Sequence, residues 1–205
     1  EHGSISYQDL TNLSRAIELG QSLPLVRLSS NNIFECNKIL DAGISGFIIP
    51  NIEDEQTITK IIEIASYPPN GKRGIGFSRA NSFGRNFNNH LINGKQPLII
   101  PMIESVKGIE NLDDILTVKG IDAVFIGPYD LSASLKCIGK FDKKIYQESV
   151  NKIKKTCKQH NVPVGIHVVK PDNNELKKYI NKGYQFISFG MDSSFLIKNL
   201  NCPKI

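Results

Sequence analysis

The chain has 205 residues, of which 40% are hydrophobic and 22% charged, and its formal net charge is +5. These values are those of an ordinary globular protein with a sizeable core, in one large domain or two small ones. No apolar run approaches the roughly 20 residues needed to span a bilayer, so we expect no membrane partner.

The positive charge does not indicate a nucleic-acid partner. Seven of the 25 basic residues fall on the polar faces of two predicted helices, at Lys152, Lys154, Lys155 and Lys158 and at Lys177, Lys178 and Lys182. There is no arginine-rich run and no alternation of aromatic with basic residues. Four cysteines (Cys36, Cys137, Cys157 and Cys202) are scattered without a C-x-x-C pair, which predicts reduced thiols and a cytoplasmic location.

Hydrophobic periodicity predicts a regular alternation of strands and helices. The predicted helices cover residues 7–19, 32–42, 54–65, 85–92, 107–116, 143–160, 174–182 and 193–200. Apolar runs of strand length cover residues 23–28, 46–50, 98–103, 123–126, 162–168 and 185–189. Two irregular stretches, 67–84 and 131–141, interrupt the pattern. Because long loops in a compact domain are usually functional, Arg73 and Arg79 are candidates to cover a site or a subunit contact.

Strict alternation without a hairpin signal predicts a parallel sheet covered by helices. Functional-looking residues after almost every strand favour a closed (β/α)8 barrel over an open sheet. Such a barrel needs eight strands and about 250 residues, so this chain is two strands short. We therefore expect one barrel domain over residues 1–205 that is incomplete at its N-terminus, with Glu1 and His2 ending the second strand.

Two acidic residues follow neighbouring predicted strands. Glu104 comes directly after strand 98–103, and Asp130 follows strand 123–126 after Gly127, Pro128 and Tyr129. In a parallel βαβ unit both acids lie at the C-terminal edge, where α/β folds bind ligands. This pattern allows a divalent cation site, an acid/base pair without metal, or two acids that satisfy local backbone N–H groups.

Several segments in this order resemble the HpcH/HpaI aldolases, metal-dependent pyruvate aldolases distantly akin to citrate lyase β-subunits. The likeness covers nearly the whole chain, and residues 120–135 (GIDAVFIGPYDLSASL) are its most specific part. The other matching segments are residues 1–3 (EHG), 26–27 (VR), 67–74 (YPPNGKRG), 79–80 (RA), 83–84 (FG) and 103–105 (IES).

The resemblance implies a TIM barrel of the phosphoenolpyruvate/pyruvate-binding type, assembled as a hexamer of paired subunits that exchange their last helix. It implies reversible cleavage of a 4-hydroxy-2-oxo acid to pyruvate and an aldehyde, with Mg²⁺, Mn²⁺ or Co²⁺ as cofactor. By this likeness, Glu104 and Asp130 bind the metal, Arg27 contacts the pyruvate keto oxygen and His2 transfers a proton. The pyruvate carboxylate would be bound at Gly127, Pro128, Tyr129 and Asp130.

These residue types suit the chemistry, since a cation and a guanidinium both stabilise the enolate formed when pyruvate loses a methyl proton. Two alternatives stay open: a citrate-lyase-like acyl-CoA lyase, and an inactive barrel that serves assembly or ligand binding. Two departures from the family also stand out. Met102 occupies a position where several members carry glutamine, and the chain begins after the aspartate that precedes the Glu-His pair. We expect His167, in strand 162–168, to be a satisfied structural histidine.

Overall fold

The computed structural model describes residues 5–31, 35–85 and 87–200, and within them strands and helices alternate in an α/β fold. The strands are β1 (Leu25–Arg27), β2 (Gly46–Ile49), β3 (Leu98–Ile103), β4 (Val124–Ile126), β5 (Val164–Val168) and β6 (Phe186–Phe189). The helices are α1 (Tyr7–Leu19), α2 (Cys36–Asp41), α3 (Glu55–Ala65), α4 (Phe87–Asn93), α5 (Val106–Glu110), α6 (Leu112–Thr117), α7 (Pro128–Ser134), α8 (Lys144–Gln159), α9 (Asn173–Asn181) and α10 (Asp192–Asn199).

The six strands of the described residues form one parallel sheet in the order β1-β2-β3-β4-β5-β6. Every strand pairs with its neighbour in sequence, and the sheet curls into a half-barrel with helices around it. The prediction of a parallel α/β fold is therefore confirmed. Closure by two further strands before residue 1 stays a prediction, as does the single-domain boundary.

The two faces of the sheet bury different partners. On the outer face, strand residues such as Phe47, Ile103 and Ile126 pack with helix residues such as Ile61 and Ile153 in the main core. The inner face carries a second apolar cluster, made of strand residues and the adjacent Ala123: Ile100, Met102, Ala123 and Phe125, with Leu25, Ile48 and Phe186 against them. Because side chains alternate along a strand, each strand supplies both faces.

Local side-chain hydrogen bonds fix where the helices begin. Ser6 caps α1 through a reciprocal pair with Asp9, and the Asp54 carboxylate accepts a hydrogen bond from the Thr57 N–H at 2.7 Å at the start of α3. Both are polar N-caps of the expected type. No helix of the described residues is long and apolar enough to cross a membrane.

Two predicted stretches differ from the structure. Residues 131–141 were expected to be irregular, but α7 runs through Ser134, with Pro128 in its first turn and a buried Leu131. Proline suits that position because the N–H it lacks would have no helical partner. The helix expected over residues 107–116 is divided at Asn111 into α5 and α6, and the Asn111 side chain donates to the Glu53 carbonyl at 2.7 Å.

Candidate active site at the C-terminal edge of the sheet

Glu104 directly follows β3 and continues the inner-face alternation of Ile100 and Met102. Its side chain is 4% exposed, and its Oε1 accepts a hydrogen bond from the Asn51 N–H at 2.8 Å. Its Oε2 is buried without a hydrogen-bond partner among the residues that the structure describes. Burial raises the pKa of this carboxyl, against the lowering effect of the Asn51 hydrogen bond. Such an oxygen is costly to bury unless a cation or a ligand donor meets it.

Gly127 packs directly against this oxygen. A Cβ atom placed on Gly127 would lie 2.5 Å from Glu104 Oε2 and 3.1 Å from the Met102 methyl carbon. Gly127 directly follows β4 and is the N-cap of α7, where its carbonyl accepts from the Leu131 N–H at 2.9 Å. A side chain at this position would therefore collide with the carboxylate.

The first turn of α7 brings Asp130 to the same edge. Pro128, Tyr129 and Asp130 are its first three residues, and both Tyr129 and Asp130 are exposed. The Tyr129 ring packs edge-on against Phe141, with 5.2 Å between the ring centroids. Backbone N–H groups in a first helical turn have no partner within the helix, so those of Tyr129 and Asp130 are available to an anionic group.

Arg27 completes the cluster from the first strand. It lies on the same face as Leu25, is half-buried, and its guanidinium donates to the Leu28 carbonyl at 3.1 Å. Burial lowers the pKa of Arg27, while the charges of Glu104 and Asp130 raise it. The structure thus brings Arg27, Glu104 and Asp130 together, from positions up to about half the chain apart. His2 lies outside the described residues, so its predicted role stays a prediction.

The donor set is suited to a hard divalent cation. Two carboxylates converge here. The described residues contain no group of three or more His, Cys, Asp or Glu side chains that could hold a metal, so water and substrate would have to supply the other ligands. Mg²⁺ is commonly bound by one or two carboxylates together with water and substrate oxygens. The unpartnered Oε2 of Glu104 beside the bare Cα of Gly127 fits that pattern.

His167 departs from the expectation of a satisfied structural residue. It lies on the inner face of β5, whereas the preceding residue, Ile166, points to the main core on the outer face. Its Nε2 is buried without a hydrogen-bond partner within the described part of the chain. The sequence signal was available, since a lone polar residue alternates there with apolar ones. Only the folded structure shows that one ring nitrogen has no hydrogen-bond partner among the described residues.

A basic cavity at the opposite edge of the sheet was not predicted. It has a volume of about 1060 Å³, lies at the N-terminal ends of β2 and β3, and is lined by Arg15, Arg73, Arg79, Arg85, His90 and Lys95. Arg73 forms an ion pair with Asp41 at 2.8 Å, and Arg79 forms an ion pair with Glu18 and donates to Ser14 at 2.9 Å. Arg73 and Arg79 therefore do not cover Glu104 in the same chain; a role in a subunit contact stays a prediction.

Comparisons with known proteins give a family match over most of the chain. The model of the HpcH/HpaI aldolase/citrate lyase family matches residues 6–199. The 5-keto-4-deoxy-D-glucarate aldolase of Citrobacter koseri is 33% identical over 178 residues, which cover 86% of this chain and 68% of that protein.

Two solved structures share the fold over nearly the whole chain. An HpcH/HpaI aldolase/citrate lyase family protein from Burkholderia cenocepacia has a TM-score of 0.89 and 29% identity, covering 97% of this chain and 79% of that chain. An HpcH/HpaI aldolase from Desulfitobacterium hafniense has a TM-score of 0.89 and 28% identity, covering 97% and 77%.

Proposed function

Because this chain belongs to the HpcH/HpaI aldolase/citrate lyase family, we propose that it is a divalent-metal-dependent aldolase that cleaves a 4-hydroxy-2-oxo acid reversibly to pyruvate and an aldehyde. Its family and its curated relatives make it an enzyme of the lyase type. The observation that carries the finer proposal is the buried, unpartnered Oε2 of Glu104, which lies against Gly127 with Arg27 and Asp130 nearby.

Glu104 and Asp130 would hold the cation, which is Mg²⁺, Mn²⁺ or Co²⁺ in this proposal. When bound, it supplies Lewis acidity for the keto oxygen, on which negative charge develops as the carbon–carbon bond breaks. The resemblance assigned this role to both acids, and the burial of Glu104 supports it, since a desolvated carboxylate interacts more strongly with a cation than an exposed one.

Arg27 stabilises the same developing charge. A guanidinium keeps its proton at any physiological pH, even though burial lowers the pKa of this one. Its hydrogen bond to the Leu28 carbonyl holds the guanidinium at the end of the first strand, and a donor held in place needs little reorganisation when the enolate forms. The N–H groups of Tyr129 and Asp130 bind the pyruvate carboxylate, while Gly127 leaves room for the substrate and Pro128 starts the helix.

The cleavage itself needs one proton to leave and one to return. A base takes the proton of the C4 hydroxyl, the C3–C4 bond breaks to give the aldehyde, and the bonding electrons pass to the pyruvate enolate. Protonation at C3 then yields the methyl group of pyruvate. We assign this proton transfer to His2, whose type suits it near neutral pH. The apolar floor formed by Met102 and Phe125 excludes water from the enolate.

The name of a curated relative suggests which 4-hydroxy-2-oxo acid to test first. Counted from its keto end, 5-keto-4-deoxy-D-glucarate, the compound in the name of the Citrobacter relative, is a 2-oxo acid with a hydroxyl on carbon 4. It therefore belongs to the proposed class and is the first compound to test.

Assembly and location belong to the same proposal. A hexamer of subunits that exchange their last helix is supported by exposed apolar side chains on or just after α10, where Leu196, Ile197 and Leu200 are 67%, 71% and 63% exposed. A cytoplasmic location is supported by Cys36, Cys137 and Cys157, which are free and buried.

The test is a coupled assay of pyruvate release with a panel of 4-hydroxy-2-oxo acids, before and after a chelator and after return of each metal. We expect turnover that the chelator abolishes and one of the three cations restores. Turnover unaffected by the chelator would reject the metal mechanism. Cleavage of acyl-CoA thioesters alone would favour the citrate-lyase-like alternative, and no turnover of any compound would favour an inactive barrel.

A further inference from the structure

One row of inner-face positions crosses four strands at the C-terminal edge. The register of β3 with β4, continued one residue past Ile126, places Glu104 beside Gly127. The register of β4 with β5, continued in the same way, places Gly127 beside His167. His167 in turn pairs with Ser188 of β6. Gly127 is thus the bare position between an acidic and an imidazole side chain.

The orientation of the His167 ring follows from its hydrogen bonds. Burial lowers its pKa, so the ring is neutral at pH 7, and a hydrogen bond with the Gly190 backbone opposes that shift. A hydrogen bond that raises the pKa of a base is one that the base donates, here to the Gly190 carbonyl. Since Nε2 has no partner among residues 5–31, 35–85 and 87–200, Nδ1 is the donor and Nε2 presents a lone pair.

The two unpartnered atoms belong to side chains on either side of Gly127 in this row. Glu104 Oε2 lies against Gly127, where an added Cβ would be 2.5 Å from it, and His167 Nε2 is the ring nitrogen turned away from Gly190. Two interstrand spacings separate the backbones of Glu104 and His167, which is about 10 Å. The described residues contain no group of three His, Cys, Asp or Glu side chains that could hold a metal, so His167 is not part of the cation site. The backbone separation suits a substrate that extends from one side chain to the other.

We propose that Nε2 of His167 accepts a hydrogen bond from a hydroxyl group on the aldehyde half of the substrate and thereby selects hydroxylated aldehydes. The inference rests on the proposed aldolase function, in which the pyruvate half is bound at Glu104, Asp130 and Arg27. His167 lies across Gly127 from Glu104 in the strand register, on the side left for the aldehyde half. A buried acceptor that finds no donor is penalised, so an aldehyde with a methyl group in place of the hydroxyl binds less well.

The experiment measures the aldol addition of pyruvate to glycolaldehyde and to propionaldehyde, which differ by a hydroxyl against a methyl group. The ratio of the two kcat/KM values is compared in the wild-type holoenzyme and in His167→Leu and His167→Gln. His160→Leu is the control, because His160 contacts Asp113 at 2.7 Å on an outer helix end. Deuterium exchange of the pyruvate methyl group, followed by NMR, reports enolate formation without any aldehyde.

We expect His167→Leu to lower the glycolaldehyde to propionaldehyde ratio by about tenfold, the size of one lost hydrogen bond. His167→Gln, whose amide oxygen accepts, keeps most of the ratio, and His160→Leu keeps all of it. Methyl exchange stays within about twofold of wild type, as expected for a group remote from the enolate.

An unchanged ratio in His167→Leu would overturn the inference, and so would a loss of methyl exchange in the folded variant. His167→Met gives the same comparison if the leucine variant does not fold. Wild-type enzyme that adds pyruvate to neither aldehyde and cleaves no 4-hydroxy-2-oxo acid would reject the proposed function itself. A changed ratio with normal methyl exchange supports the assignment.

Discussion

The two edges of the sheet pair their buried charged groups differently. At the N-terminal edge, the buried Arg73 forms an ion pair with Asp41, although its Nε has no hydrogen-bond partner among the described residues, and Arg79 is held by Glu18, Ser14 and the Ala42 carbonyl. At the C-terminal edge, Glu104 is as deeply buried as Arg73, at 4% against 6% exposure. One of its oxygens nevertheless has no hydrogen-bond partner in the described ranges.

This difference separates charges that stabilise the fold from charges held for a ligand. A buried ion whose partner is a protein side chain recovers part of its desolvation cost within the folded chain. A buried carboxylate oxygen without a hydrogen-bond partner recovers it only when something binds. Strain of this kind is typical of functional sites. Substitutions at the two edges should therefore affect different measurements.

The largest effect is expected from Glu104→Gln, which keeps the shape of the side chain and removes its charge. Metal-dependent pyruvate release should fall by at least about a thousandfold, because a Lewis acid contributes several kcal/mol to such a step. The melting temperature should be unchanged or higher, since an amide costs less to bury than a carboxylate. Glu110→Gln, at an exposed position of α5, is the control; a near-normal rate in the Glu104 variant would remove this acid from the site.

Arg27→Met is expected to lower kcat/KM for pyruvate release by about a hundredfold, the usual effect of losing one preorganised donor at a developing negative charge. Binding of Mn²⁺, measured by titration, should not weaken, because Arg27 repels a cation. Arg15→Ala, at an exposed position of α1, should leave both quantities unchanged. If the variant lost Mn²⁺ binding as well, Arg27 would be needed to organise the acids instead of the substrate.

Gly127→Ala tests the contact between Gly127 and the Glu104 carboxylate directly. The added Cβ would lie 2.5 Å from Glu104 Oε2, so the carboxylate has to turn from its position. We expect turnover to fall between about tenfold and a hundredfold, as for other displacements of about 1 Å in a reacting site. Gly76→Ala, where a Cβ meets no atom within 4 Å, should be neutral. Equal activity in the two variants would mean that the space at Gly127 is not used.

At the N-terminal edge the effect should be on stability alone. Arg73→Met leaves Asp41 without its partner and should lower the free energy of unfolding by about 2 kcal/mol, the range for hydrogen bonds to charged groups. Activity per folded molecule should stay normal. Lys72→Met is the matched control, because its ion pair with Glu63 is exposed and worth less than about 1 kcal/mol. A lower kcat in the Arg73 variant would contradict the claim that charges at the N-terminal edge affect stability alone.

The smallest effect is expected at Asp54, an acid of the C-terminal edge that is satisfied locally. Its hydrogen bond from the Thr57 backbone lowers its pKa, so its contribution is present above the unfolded pKa of about 3.9 and is lost as the pH falls through the folded pKa. Asp54→Ala should cost about 1 kcal/mol at pH 7 and less in acid, as measured by urea unfolding. Asp54→Asn, which can still cap α3, should cost less at pH 7; an equal loss in both variants would contradict the capping role.

Much of the fold could be predicted from local pattern. The helix over residues 7–19 and the strand over 98–103 match the structure residue for residue, because each has a strong period and a clear end signal. The start of α7 was missed because Gly127 and Pro128 also suit a turn, and only the burial of Leu131 and Ser132 against the core shows that the helix continues.

The sequence by itself determined that Glu104 and Asp130 meet at one edge, since parallel strands joined by a helix leave successive strand ends side by side. Only the tertiary structure decided which polar atoms there are satisfied. Glu104 Oε1 is bound by the N–H of a residue 53 positions earlier, while Oε2 and His167 Nε2 are not bound within the described residues. Burial and hydrogen-bond completion depend on neighbours that are distant along the chain, and no local pattern of residues records them.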